Sequence, residues 1–491
     1  MTCFQPATIA TITKVLVVSE KKGWISVALV KNPKYLFLVV MLACCASVLA
    51  FPLADLSASQ NHALALVLLI VPLWSTGAIP EFLTALIFFL IAILSGLTSP
   101  AEAFSGFSST ALWLIFAGSV MGMGIKGTGL GDRLAVVLQK VLAGSYQRLI
   151  VGLVIGGLLL GFLMPSSMGR LVMMLPIVLA LAERLGFQPG SAGRSGIVMA
   201  ISIGCHIPTV SILPANIPNM VLSGAADAQY GIQLGFTDYL ILHFPVLGLL
   251  KALLLIAIIL WAYPARESNH ILAQAVRPEG KLMPSLSRPQ LHMSLVLLVA
   301  LALWLTDGWH GVNPAWVGLA AAVFMMMPGV NLVNPHKFSM DVTMLLFIAG
   351  ILGVGAMVNS SGLGSWLAQQ LEQAFPMSEG NNFGNYMSLS AIAFLATLPT
   401  TQAGAPAMLA PMAQHFAETS GFPLLTVLMT QVLGYSSIMF PYQSGPLLMA
   451  MHLSGESAGR VLKVLFPLSF ITLLVLVPLD YLWWDLLGMF E

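Results

Sequence analysis

Apolar residues run through this chain in long stretches rather than alternating with polar ones. The stretches predict helices over 35–54, 62–78, 82–98, 110–127, 194–212, 237–263, 291–306, 315–329, 341–359, 422–440 and 461–486. A helix needs about 20 apolar residues to cross a bilayer, and these runs are of that order. Two further apolar regions, 147–183 and 385–417, are interrupted, the first at Pro165-Ser166-Ser167 and the second at Pro399-Thr400-Thr401. Each is either two full spans or a re-entrant hairpin. Both choices cross an even number of times, so the orientation of later spans is unaffected. The expected fold is an all-α polytopic membrane protein with about 11 transmembrane helices and two re-entrant hairpins.

Basic residues orient the spans. With the N-terminus in the cytoplasm, every Lys and Arg falls on the inner side except Arg170 and Lys251, which lie inside apolar runs. The C-terminus then falls outside, in a cell membrane. The polar segment 1–34 is a cytoplasmic tail with five lysines. The run after it is an ordinary first span rather than a cleaved signal.

The chain also repeats. LIFAGSVMGMGIKGTGLGDRLA (114–135) is similar to LFIAGILGVGAMVNSSGLGSWLA (346–368), and PSSMGRLVMMLP (165–176) to TTQAGAPAMLAP (400–411). Pro214-x-Asn216-x-Pro218 has a looser echo in Pro441-x-Gln443-x-x-Pro446. The first unit enters the membrane from outside and the second from inside, so the repeats are inverted. They occupy 55–263 and 291–491, joined by a cytoplasmic linker at 264–290. Inverted repeats with paired interrupted segments are a transporter pattern, with substrate near the midplane. After each Gly-Leu-Gly, an amphipathic stretch (131–143 and 364–375) predicts a helix lying on the membrane surface.

Composition narrows the chemistry. Of 491 residues, 58% are hydrophobic and 8% charged, where a soluble chain carries roughly a quarter. The net charge of +1 gives no reason to expect nucleic acid. The expected partners are the bilayer and a small solute. Cys3, Cys44, Cys45 and Cys205 suggest neither a disulfide framework nor a metal site. The acids all fall in loops or at span ends. With two buried cations, that favours an anionic substrate over a cation exchanged for protons. There is no His-Glu-x-x-His and no buried pair of acids, so an intramembrane enzyme is not expected.

The text WSTGAIPEFLTAL (74–86), LWLTDGWHG (303–311) and FPYQSGPLLMA (440–450) resembles the divalent anion/sodium symporter family, with Gly77 where that family has Glu. The resemblance covers roughly 62–486. It implies a homodimer in which a transport domain moves against a scaffold, carrying dicarboxylate, citrate or sulfate. It also implies sodium as coupling ion, held with the substrate by Ser-Asn-Thr motifs at two hairpin tips and by two unwound helices. Those motifs fall at Ser166-Ser167-Met168 and Thr401-Gln402-Ala403, without the asparagine or the final threonine. The ion candidates are then Ser166, Ser167, Thr401, Gln402 and Ser437.

The residues themselves give a second reading of the tips. Pro165 and Gly169 supply a break in the helix, and hydroxyls and free N–H groups at a tip can meet an anion. They can equally cap helices in a packed hairpin. Candidate substrate contacts are Ser166, Ser167, Arg170, Thr400, Thr401 and Gln402, with Asn216 and Gln443 from unwound stretches near 206–219 and 436–446. Arg170 carries a fork suited to a carboxylate. It binds the anion, stands in for a sodium ion as fixed charge, or caps carbonyls of the other hairpin. His206 and Lys251 are the candidates for proton coupling. The expected function is secondary transport of small di- or tricarboxylates or sulfate by alternating access. Sodium-independent exchange, proton-coupled carriage, and a transporter-derived channel or sensor stand as alternatives.

Overall fold

The computed structural model describes residues 33–131, 133, 145–265, 285–337 and 342–491. The polar tail, the first amphipathic stretch (131–143) and the linker lie largely outside the described residues. Every regular element among the described residues is a helix. Among the described residues, seven helices are long and apolar enough to cross a membrane, and four shorter apolar ones accompany them. The protein is an all-α polytopic membrane protein.

After α1 (Pro33–Ala50), the first repeat runs α2 (Ala58–Thr76), α3 (Glu81–Leu94) and α4 (Thr110–Gly127). A helical pair follows, α5 (Tyr146–Leu163) and α6 (Ser167–Arg184), then the half-helices α7 (Ala192–Gly204) and α8 (Ile217–Tyr230), then α9 (Phe236–Ala262). The second repeat runs α10 (Arg288–Leu305), α11 (Pro314–Met326), α12 (Val342–Ser360) and α13 (Leu363–Ala374). Its pair is α14 (Asn382–Thr397) with α15 (Gly404–Leu409), which continues through a 3-10 turn into α16 (Ala413–Ser420). Half-helices α17 (Leu424–Tyr435) and α18 (Gly445–Ser454) and the closing span α19 (Ala458–Leu486) complete it.

The repeats interlock. α4 packs against α11, and α12 against α3. α2 and α10 both start with a capping box, Ser57 with Gln60 and Ser287 with Gln290. Each glutamine also reaches the other repeat: Gln60 Nε2 donates to Gly362 O at 3.1 Å, and Gln290 Nε2 to Gly129 O at 3.3 Å. Gly129 and Gly362 hold φ of 71° and 73°, where a side chain would be strained. Leucines on the opposite face of α10, such as Leu295 and Leu298, are 58% exposed, as a lipid-facing surface requires.

Three expectations change. The span expected at 194–212 stops at Gly204, turns through two 3-10 segments that open with Pro208 and with Leu213-Pro214, and resumes as α8 as far as Tyr230. Proline lacks the N–H that a continuous helix needs there. The span expected at 422–440 likewise stops at Tyr435 and resumes at Gly445. Finally, Asp480, taken as a span-end acid, is fully buried within α19 and accepts the Tyr386 hydroxyl at 3.1 Å.

Candidate functional site

α5 meets α6 at Met164–Ser166, and α14 meets α15 across 398–403. Both turns abut the breaks of the interrupted helices. Arg170, one turn into α6, bonds carbonyls at 205 and 215, and Gln402 N donates to Gln443 O at 2.9 Å. Glycines allow the close approach. A Cβ on Gly157 of α5 would lie 2.8 Å from Cys205 N, and one on Gly434 of α17 would lie 2.2 Å from Ala393 C.

Where these elements meet there is a cavity of about 670 Å³. Ser166, Ser167, His206, Thr401, Gln402, Gln443 and Ser444 line one side, with Met168, Ile217 and Met220. Glu81, Phe82, Ile115, Ser119, Met344 and Phe347, from α3, α4 and α12, line the other. Among the helices that begin at its wall are α6 with N-cap Ser166, α8 with N-cap Asn216 and α18 with N-cap Ser444. Their first-turn N–H groups and positive dipole ends make the wall attractive to an anion.

His206 ties the repeats together across this wall. Its Nε2 lies 2.7 Å from Gln402 Oε1 and 2.8 Å from Ser444 Oγ. Gln402 Nε2 donates to Tyr435 O at 2.7 Å, so its oxygen is the atom facing the histidine. Gln443 uses its oxygen for the Met439 and Phe440 N–H groups and its amide for Thr397 O.

Arg170 does not line the cavity. It is fully buried, with Nε and Nη2 on Cys205 O at 3.0 and 2.9 Å. Nη2 also reaches Thr209 Oγ1 at 2.9 Å and Ala215 O at 3.2 Å, and Nη1 donates to Met164 O. The expected fork on the substrate is therefore corrected. The guanidinium faces backbone of its own hairpin and of the first break, rather than the other hairpin. Four more candidates stand away from the cavity. Asn216 donates to Thr209 Oγ1 at 3.0 Å; Thr400 caps Ala396 O at 2.8 Å; Ser437 bonds Leu433 O at 2.8 Å. Lys251 Nζ donates to Ser436 O at 2.7 Å and Ser436 Oγ at 3.1 Å.

The C-terminal helix ends at these breaks follow one pattern. Met164, Cys205 and Ser436 are the C-caps of α5, α7 and α17. Their carbonyls, with those of Tyr435 and Thr397, all accept from side chains: Arg170, Lys251, Gln402 and Gln443. These carbonyl oxygens, like the side-chain oxygens of Gln402 and Gln443, already hold a donor, while the hydroxyls of Ser166, Ser167 and Thr401 line the cavity.

Sequence reasoning missed Ser444, Thr209 and Glu81. Ser444-Gly445-Pro446 carries the signature of an N-cap before a proline-started helix, so Ser444 was open to discovery.

Residues 32–490 match the family model described as sodium:sulfate symporter transmembrane region. The chain is 25% identical over 366 residues to an L-tartrate/succinate antiporter of Escherichia coli K12, covering 70% of this chain and 72% of that one. It is 25% identical over 412 residues to a membrane protein of Cupriavidus necator, covering 79% and 80%. The solved structure of the Alcanivorax borkumensis YdaH transporter aligns over 93% of this chain and 99% of that one, with TM-score 0.49 and 15% identity.

Proposed function

The chain belongs to the sodium:sulfate symporter transmembrane family, and from that premise we propose that it exchanges small dicarboxylates without sodium. The observation that carries this reading is the saturation of the C-terminal helix ends by Arg170, Lys251, Gln402 and Gln443. Carbonyls that would otherwise attract a cation already hold side-chain donors. Helix starts and hydroxyls also line the cavity, where a carboxylate can accept from them. The relative named as an L-tartrate/succinate antiporter supports both the substrate class and the exchange mode.

Arg170 acts in this reading as a permanent cation behind the site, reaching the substrate through the α6 start rather than by contact. An empty carrier would move that buried charge uncompensated, which disfavours return without a bound anion. With the orientation that the basic residues suggest, Pro80–Phe82 and Thr343, which line the cavity, lie near the cytoplasmic ends of α3 and α12. The functional unit is a homodimer with its N-terminus in the cytoplasm.

Proteoliposomes test the reading. Labelled succinate should enter only vesicles loaded with unlabelled succinate or tartrate, equally in sodium and in choline medium. Uptake into empty vesicles driven by an inward sodium gradient would overturn it.

A further inference from the structure

The two spans that close the repeats share an irregularity. α9 contains a π-helical segment, Phe244–Leu250, and α19 contains another, Thr472–Leu476. Phe244 and Thr472 are 228 residues apart, as are the N-caps Asn216 and Ser444 of the second half-helices. A π-turn rotates the residues that follow it, and such turns are frequent at functional sites. A fully buried ionisable residue follows each: Lys251 at once on α9, and Asp480 four residues on along α19. The two π segments pack against each other, with no Lys251–Asp480 ion pair at contact distance among the described residues. Tyr386 of α14 anchors Asp480.

The Lys251 ammonium ends on the carbonyl of Ser436, the C-cap of α17. The matching carbonyl of the first repeat is Cys205, the C-cap of α7, and Arg170 holds it. The two buried cations thus come from unrelated elements, a hairpin and a closing span. They arrive at equivalent ends of the two interrupted helices.

We infer that Lys251 is the built-in cation of the second repeat, a positioning residue that takes the place of a dissolved ion at the Ser436 end, as Arg170 does at the Cys205 end. This rests on the exchange reading above for its consequence, that neither repeat recruits sodium. Asp480 is an acid on the span packed beside that of Lys251, whereas Arg170 has no acidic contact among the described residues. The Ser436 end then has an acid on the neighbouring span, and the Cys205 end leaves its charge for the substrate.

The test reads cation binding without substrate. Purified wild-type protein should melt at the same temperature in sodium and in N-methylglucamine chloride. Lys251→Ser, which opens space beside the Ser436 carbonyl, should melt lower in N-methylglucamine and regain several degrees in sodium. Its exchange rate should fall at least tenfold in choline and recover in part with sodium. If Lys251→Ser cannot be purified folded, the double variant Lys251→Met/Asp480→Asn removes both charges together. It should fold but exchange at least tenfold more slowly than wild type, with Lys251→Arg closer to wild type. Sodium-specific stabilisation of the wild type would overturn the inference. So would losses in Lys251→Ser that sodium leaves unchanged, or wild-type exchange by Lys251→Met/Asp480→Asn. Because melting needs no substrate, a failure of the exchange reading leaves this result interpretable.

Discussion

Replacing Arg170 with methionine keeps most of the side-chain volume and removes every donor. The carbonyls of Met164, Cys205 and Ala215 then lose their guanidinium partner. Met164 O keeps the Ser166 N–H at 2.7 Å, so Cys205 O and Ala215 O are the two acceptors left short of a donor; at about 1–3 kcal/mol each, they cost about 2–6 kcal/mol before any relaxation. Thr209 does not add to this, because its hydroxyl keeps His206 O at 2.8 Å. Methionine also relieves the burial of a charge, a penalty of several kcal/mol. The net loss should be on the order of 3 kcal/mol, a marked fall in the melting temperature of the purified protein. Transport should fall further than folding. Opening the Cys205–Ala215 break moves the starts of α6 and α8, which form the cavity wall, and about 1.4 kcal/mol of lost binding is already tenfold. Succinate exchange in Arg170→Met vesicles should therefore drop at least tenfold. Arg170→Lys should stay intermediate in both measurements, since a lysine keeps the charge but cannot span carbonyls on two sides. Melting and exchange at wild-type values in Arg170→Met would refute the reasoning outright.

His206→Ala removes the contacts to Gln402 and Ser444; exchange should fall about tenfold with a small loss of stability, about 1–2 kcal/mol, and a melt that drops as far as that of Arg170→Met would show the link to be purely structural. Gly157→Ala places a Cβ against the backbone of Gly204 and Cys205, which cannot rotate aside. It should cost about 1–3 kcal/mol and slow exchange, while Gly122→Ala, with open space around it, should match wild type in both.

The fold was legible because each crossing leaves its own local mark. The run that became α4 was expected at 110–127, the bounds it has. The break at 164–166 was announced by Pro165 and two serines in an apolar context. The interrupted helices were only partly legible. Pro208, Pro214 and Pro218 showed that the backbone must depart from a helix, but not that it would resume as far as Tyr230. Asp480 misled for a different reason. Trp483, Trp484 and Asp485 follow it closely and read as a membrane interface, while the Tyr386 that buries it lies 94 residues earlier.

The site was legible in its hydroxyls and not in its cations. Ser166, Ser167, Thr401, Gln402 and Gln443 follow from where the helices break, which is local information. The partners of Arg170 include backbone carbonyls 35 and 45 residues away, and that of Lys251 is 185 residues away. A carbonyl has no letter in the sequence, so a buried arginine looks like an open hand for an anion when it already holds the main chain. What the sequence does contain is the sign rule that decides between the two. A helix that stops at membrane depth presents a negative end, and one that starts there presents a positive end. Two interrupted helices and two hairpins supply both kinds, and only the negative ends need fixed cations. Arginine and lysine inside such a fold are therefore to be sought first at the C-caps, and the anion at the N-caps that face the cavity beyond them.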